Sequence, residues 1–163
     1  MDRPLIIALG SEFRRDDGLG PKVLSTLREV YGESCAYIHS RGEATDLLGE
    51  WDNRHVFIID ALKGCENKIG EVKYLDLIKD KDVVLEVMNS SHASGLKEAL
   101  AFGELYGNQP KTVFFFGIYC SDFSMGVGLS HKVAQGVPHL VSQIKQQLDK
   151  TIDTKEKTCT NNH

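Results

Sequence analysis

The chain has 163 residues, a length that suits one domain of ~100–200 residues with a core on both faces of a sheet. A net charge of −4, with no Lys/Arg run longer than a pair, argues against the basic face of a nucleic-acid binder. No apolar run approaches the ~18 residues of a membrane helix, and Met1-Asp-Arg-Pro-Leu-Ile-Ile lacks a signal-peptide layout, so a cytoplasmic protein with no membrane partner is expected.

In chain order, Leu5-Ile-Ile-Ala-Leu is a short apolar run ended by Gly10, as in a strand buried on both faces. Pro21 suits the first turn of a helix, and Leu19, Val23, Leu27 and Val30 recur at helical spacing, with Leu24 and Tyr31 widening the stripe up to Gly32. Cys35-Ala-Tyr-Ile predicts a second strand. Ala44 to Trp51 predicts a short helix with Leu47, Leu48 and Trp51 on one face. Val56-Phe-Ile-Ile is a third strand, directly ended by Asp60. Glu71-Val-Lys-Tyr-Leu alternates as an edge strand would.

Residues 82–87 are ambiguous by pattern. A helix is expected from about Ser94, through Leu96, Leu100 and Leu105, and Thr112-Val-Phe-Phe-Phe-Gly-Ile-Tyr is the next central strand. The last helix carries Val133, Val137, Leu140, Val141, Ile144 and Leu148, with Pro138 as a kink position. Together these elements predict an α/β fold, a three-layer α/β/α sandwich around a mostly parallel twisted sheet of about five strands. Residues 1–149 form the single domain, and 150–163 form a polar, flexible tail. Four cysteines without a C-x-x-C pair read as reduced thiols serving as small apolar filler.

In open sheets of this kind, functional groups gather outside the carboxyl ends of the strands. Asp16 and Asp17 follow the first strand there, and Asp60 ends the third. A carboxylate after Phe57-Ile-Ile must be paired, metal-bound or at the sheet's open end, because burying an unpaired charge is expensive; a helix cap or loop hydrogen bond is the bland alternative. Two acids at a helix start also serve as dipole-stabilised caps. His92, in Ser90-Ser-His-Ala-Ser-Gly, reads as a loop residue before a helix, a surface or capping histidine if not a ligand. His39 follows a strand and can line the same cleft, whereas His55, His131, His139 and His163 read as strand, helix-face or tail residues.

Several familiar sites are absent. Gly18-Leu-Gly20 lacks the third glycine of a dinucleotide loop, and Asp16 and Asp17 would repel a pyrophosphate at the helix N-terminus. The P-loop, the Gly-x-Ser-x-Gly elbow, the His-Glu-x-x-His helix and the paired Asp-Thr/Ser-Gly motifs of aspartic proteases are missing too. Two loop carboxylates and one imidazole remain. Mixed oxygen and nitrogen donors suit zinc, nickel, iron or manganese, and three protein ligands leave a position open.

The segments together resemble the hydrogenase maturation endopeptidases, which trim a C-terminal peptide from the large subunit of nickel–iron hydrogenases. The resemblance rests on Arg14-Arg-Asp-Asp-Gly-Leu-Gly20 after the first strand, Ile59-Asp60-Ala61, Ser91-His92 with Gly95-Leu96 and Glu98-Ala-Leu, Phe114-Phe-Phe-Gly-Ile, and Gly128-Leu-Ser130. It spans roughly residues 4–148. The family often has Gly-Asn where this chain has Gly10-Ser11, and Glu where it has Asp17.

The resemblance implies a peptidase whose metal ligands are Asp17, Asp60 and His92, with Asp16 joining them in recognition or cleavage. It also implies that the nickel belongs to the substrate, the precursor of the hydrogenase large subunit, and that the peptidase has no tightly bound cofactor of its own. A monomer is expected. Two other classes remain: a non-catalytic metal- or partner-binding maturation chaperone using the same residues, and a different small metal-dependent hydrolase. Residues 61–70 and 119–128 are candidate rims of a peptide groove because they follow strands.

Overall fold

A continuous apolar strand is stable only where both of its faces are covered, and Leu5–Leu9 (β1) is buried at every position. The computed structural model describes residues 3–80 and 91–160; the ambiguous segment 82–87 and His163 lie outside them. β1 pairs in parallel with Ala36–Ser40 (β2) on one side and His55–Lys63 (β3) on the other. Thr112–Cys120 (β5) continues the parallel sheet beside β3. Val72–Asp76 (β4) closes the far edge in the antiparallel sense. The sheet order is therefore β2-β1-β3-β5-β4.

Alternating side chains feed two core layers. Ile6, Ala8, Phe57, Ile59, Phe114 and Phe116 pack with helix α1 (Leu19–Tyr31) and the long helix α4 (His131–Thr160). Leu5, Ile7, Leu9, Val56, Ile58 and Phe115 pack with α2 (Ala44–Leu48) and α3 (Ser91–Tyr106). This is the expected three-layer sandwich. Among the described residues, no helix is long and apolar enough to cross a membrane.

The order β2-β1-β3 fixes where chemistry can sit. The chain leaves β1 toward β2 on one side and returns to β3 on the other, so a crevice opens between the carboxyl ends of β1 and β3. Helix α1 starts against this crevice. A Cβ on Gly20 would fall 2.4 Å from the carbonyl oxygen of Leu9 and 3.0 Å from that of Ile59. Gly20 thus permits close helix–strand approach, while Gly18 packs against Glu12 in the loop after β1.

Several sequence expectations change. β3 does not stop before Asp60 but runs to Lys63, because its ladder with β5 continues to Cys120 after the pairing with β1 has ended at Ile59. Asp60 is therefore a strand residue, one position past the last pair of the β1–β3 ladder and level with Leu9 at the end of β1. Helix α3 begins at Ser91, so His92 lies in its first turn and not in the loop before it. Helix α2 ends at Leu48, although Trp51 is still fully buried. Val30 is 53% exposed and outside the core stripe of α1. Helix α4 continues to Thr160, anchored past Leu148 by buried Thr151 and by Ile152 against the core. Cys35 and Cys120 are buried filler, but Cys65 is exposed.

Candidate functional site

Three elements converge on the crevice. After β1 the chain turns at Gly10, with φ +113°, and a Cβ there would fall 2.2 Å from the Asp17 carbonyl oxygen and 3.1 Å from its Oδ1. The next amide, Ser11 N–H, donates to Asp17 Oδ2 at 2.8 Å. A 3₁₀ turn over Arg15–Gly18 carries Asp17 inward until it is only 8% exposed. Asp60, fully buried on β3, accepts a hydrogen bond from the Ala61 N–H at 2.8 Å. From the opposite wall the first turn of α3 presents His92, whose Nδ1 lies 3.2 Å from both Asp60 oxygens.

One ligand atom from each of Asp17, Asp60 and His92 falls within 4.8 Å of the others. The arrangement depends on close backbone contact. Gly42, with φ +91°, lies under His92, and a Cβ there would come within 2.9 Å of the imidazole Cδ2. A Cβ on Gly95 would overlap the Gly42 carbonyl oxygen. Two glycines on different elements therefore let α3 approach the loop after β2.

Burial dominates the electrostatics of Asp60 and raises its pKa, against the opposing hydrogen bond from His92. His92 in turn is raised above its ordinary value, chiefly by its hydrogen bond to Asp60, against the cost of its own burial. Both groups favour the protonated form, so the pair holds a proton between them. Burial and the nearby acids Asp16, Asp60 and Asp17 push the Cys120 thiol up, so it stays neutral and is no thiolate ligand.

Two carboxylates and an imidazole are borderline-to-hard donors that fit a divalent transition ion. A set of three leaves coordination positions open to groups brought by another molecule.

Asp16 has a different setting. It is fully buried and its carboxylate accepts from Ser130 N–H at 2.7 Å, Ser130 Oγ–H at 2.9 Å and Asp122 N–H at 3.2 Å. Its own N–H donates to the Asp122 carbonyl at 2.9 Å. Asp16 thus fastens the loop after β1 to the loop after β5 and to the start of α4; it is not part of the three-residue cluster. His39 reaches the site indirectly, through a 2.7 Å contact between Nε2 and the Gly10 carbonyl. His55 opens β3 and bonds Thr112, while His131 and His139 sit on α4.

Of the expected rims, the 121–128 stretch lies against residues 13–16 through Arg15 N–H to Gly126 O, Gly126 N–H to Phe13 O and Asp16 N–H to Asp122 O. Sequence reasoning did not single out Ser11, Gly42 or Asp122 for the site. Gly42 had no local signal, because its positive φ matters only once α3 has docked. Ser130 belongs to the Gly128-Leu-Ser130 motif, but its bond to Asp16 spans 114 positions and has no local signature.

Comparison with known proteins matches this architecture. The chain resembles the [NiFe] hydrogenase maturation protease HybD from Thermococcus kodakarensis, with 26% identity over 90% of this chain and 99% of that one, at a TM-score of 0.72. It also resembles the hydrogenase maturating endopeptidase HybD from E. coli, with 23% identity, 91% and 93% coverage and a TM-score of 0.74. The solution structure of an endopeptidase from Escherichia coli gives a TM-score of 0.78 at 23% identity, covering 91% and 93%. No curated sequence gives a significant match. The family model described as HycI, hydrogenase maturation protease, matches residues 43–147, a stretch that includes Asp60 and His92 and begins after Asp16 and Asp17. Because that match covers more than half of the chain, the protein belongs to the hydrogenase maturation protease family and is a peptidase.

Proposed function

We propose that this peptidase removes a C-terminal peptide from the nickel-loaded precursor of a nickel–iron hydrogenase large subunit, and that Asp17, Asp60 and His92 engage the precursor's nickel. The observation that carries the reading is the convergence of these three side chains, within 4.8 Å, at the β1/β3 crevice. A structural salt bridge would need only Asp60 and His92; the second buried carboxylate, Asp17, adds like charge and is unfavourable unless a cation joins the group.

In this reading the nickel is part of the substrate, and the three residues recognise it. Engaging it requires a neutral imidazole and two carboxylates, so the proton between His92 and Asp60 leaves on binding. A divalent ion there supplies the charge that polarises a peptide carbonyl. The three side chains fix the register between ion and scissile bond, which supplies proximity. Asp16 holds the loop that carries Asp17, which gives it a positioning role in this reading.

The test is incubation with a nickel-loaded large-subunit precursor, read by intact-mass spectrometry. Loss of a C-terminal peptide is expected. An unchanged precursor mass alongside an active control would contradict the reading and favour a non-catalytic binding role.

A further inference from the structure

Next to Asp17, the molecule exposes apolar side chains on a rigid support. The stretches 13–15 and 125–127 form a small two-stranded ribbon, with a parallel bridge between Arg14 and Gly126. Arg15 N–H donates to the Gly126 carbonyl, and Gly126 N–H to the Phe13 carbonyl, each at 2.9 Å. The register sets Phe13 beside Met125 and Arg15 beside Val127, where the Arg15 guanidinium reaches the Val127 carbonyl at 3.3 Å. The buried Asp16 carboxylate clamps the base of the ribbon through Ser130 and Asp122.

On this support Phe13 is 60% exposed, Met125 77% and Val127 72%. Solvated loops rarely hold three large apolar side chains out into water, and a rigid exposed cluster of them marks an interaction site. A cleft of about 430 Å³ continues from Val127 and Arg15 along the first turns of α1, past Gly18 and Lys22, with Glu12 on its wall. Its wall at Gly18 is one residue from Asp17.

We infer that this ribbon and cleft form the docking surface for the precursor, receiving an extended apolar segment near the scissile bond that carries a carboxylate for Arg15 and Lys22. The inference rests on the proposed function. Continuity of the chain argues for this occupant: residues 13–15 of the ribbon lead directly into the 3₁₀ turn that bears Asp17, and Gly18 on the cleft wall follows Asp17, so a segment seated there lies beside the loop that carries this carboxylate. The charges argue for its chemistry, since two cations face the cleft against one carboxylate, in a chain whose net charge is −4. A second exposed group, Phe102, Leu105 and Tyr106 on α3, lacks this continuity and serves as a control.

The test compares steady-state cleavage of the nickel-loaded precursor by the full chain, by Met125→Ser/Val127→Ser, by Phe13→Ser and by Leu105→Ser. The first two variants are expected to raise KM roughly tenfold or more while kcat holds, because they remove apolar contact made before the chemical step. Their affinity for cadmium, used as a probe of the Asp17/Asp60/His92 site, should be unchanged, and Leu105→Ser should match the unmodified chain. An unchanged KM in both ribbon variants overturns the inference. If the unmodified chain does not cleave the precursor, the proposed function fails, and calorimetric binding of the precursor then decides the docking question alone: weaker binding by the ribbon variants supports it, while equal binding or none overturns it. A concentration-dependent dimer of the unmodified chain that Met125→Ser/Val127→Ser abolishes also overturns it, because the occupant would be a second copy.

Discussion

The Nδ1 atom of His92 sits 3.2 Å from each carboxylate oxygen of Asp60, joining the first turn of α3 to the middle of a fully buried strand segment. Asp60 is the costly member of this pair, since burial outweighs the other influences on its charge. Asp60→Asn keeps an acceptor for the ring and lets His92 become neutral. Its metal-free stability should lie within about 1 kcal/mol of the unmodified chain, a Tm change of ~2–4 °C at most, or be higher, while cadmium binding is lost. A large fall in Tm by calorimetry would mean that the charge is structural.

The raised proton affinity of His92 predicts a pH dependence with a defined sign. Metal binding must displace the proton held against Asp60, so apparent cadmium affinity falls as pH drops, by about tenfold per unit below the raised pKa. The midpoint should lie above the ordinary imidazole value of 6.5. In the metal-free protein both raised groups contribute stability that is present at low pH and lost as pH rises through their folded pKa values. Titration calorimetry and thermal melts across pH 5–9, a window of about two units either side of neutrality, check both trends. A midpoint below 6.5 contradicts the coupling to Asp60.

Gly42 should be intolerant and Gly49 tolerant. An alanine at Gly42 meets both a φ of +91° and the His92 ring, whereas nothing lies within 4 Å of a Cβ at Gly49. Gly42→Ala is expected to cost about 1–3 kcal/mol and to weaken cadmium binding, because His92 must move. Gly49→Ala should change neither. Chemical denaturation of both variants checks the contrast, and equal stabilities would show that α3 docks differently.

Asp16 and Asp17 are neighbours with opposite predicted behaviour. Asp16→Ala takes the acceptor from two amides and a hydroxyl of half-buried Asp122 and Ser130 and should cost about 2 kcal/mol. Asp17→Ala removes one hydrogen bond from Ser11 together with an unfavourable charge, so its melt should stay near that of the unmodified chain while metal binding disappears. Thermal melts of the two single variants separate the roles; a reversed order would place the clamp at Asp17.

The layers of the fold were legible because parallel strands buried on both faces leave unbroken apolar runs, as in Leu5–Leu9 and Phe114–Phe116. The site was legible in its residues more than in its geometry. The apolar run that stops at Asp60 reads as the end of its strand, yet the β5 ladder carries β3 on to Lys63. His92 reads as a loop residue because Ser91-His92-Ala93-Ser94-Gly95 has no helical stripe; Gly95 instead allows α3 to sit on Gly42. The polar residues after Lys150 read as a tail because a helix with little buried surface leaves only Thr151 and Ile152 as a signal. The partnership of Asp16 with Ser130 required the folded chain.

The most direct measurement is the processing of two otherwise identical precursor samples, one nickel-loaded and one nickel-free, by the unmodified chain and by Asp17→Ala, Asp60→Ala and His92→Ala. The account predicts C-terminal shortening by mass spectrometry only with the unmodified chain and the loaded precursor. Equal cleavage of the nickel-free precursor, or normal processing by all three variants, would contradict the claim that these residues engage the substrate's metal.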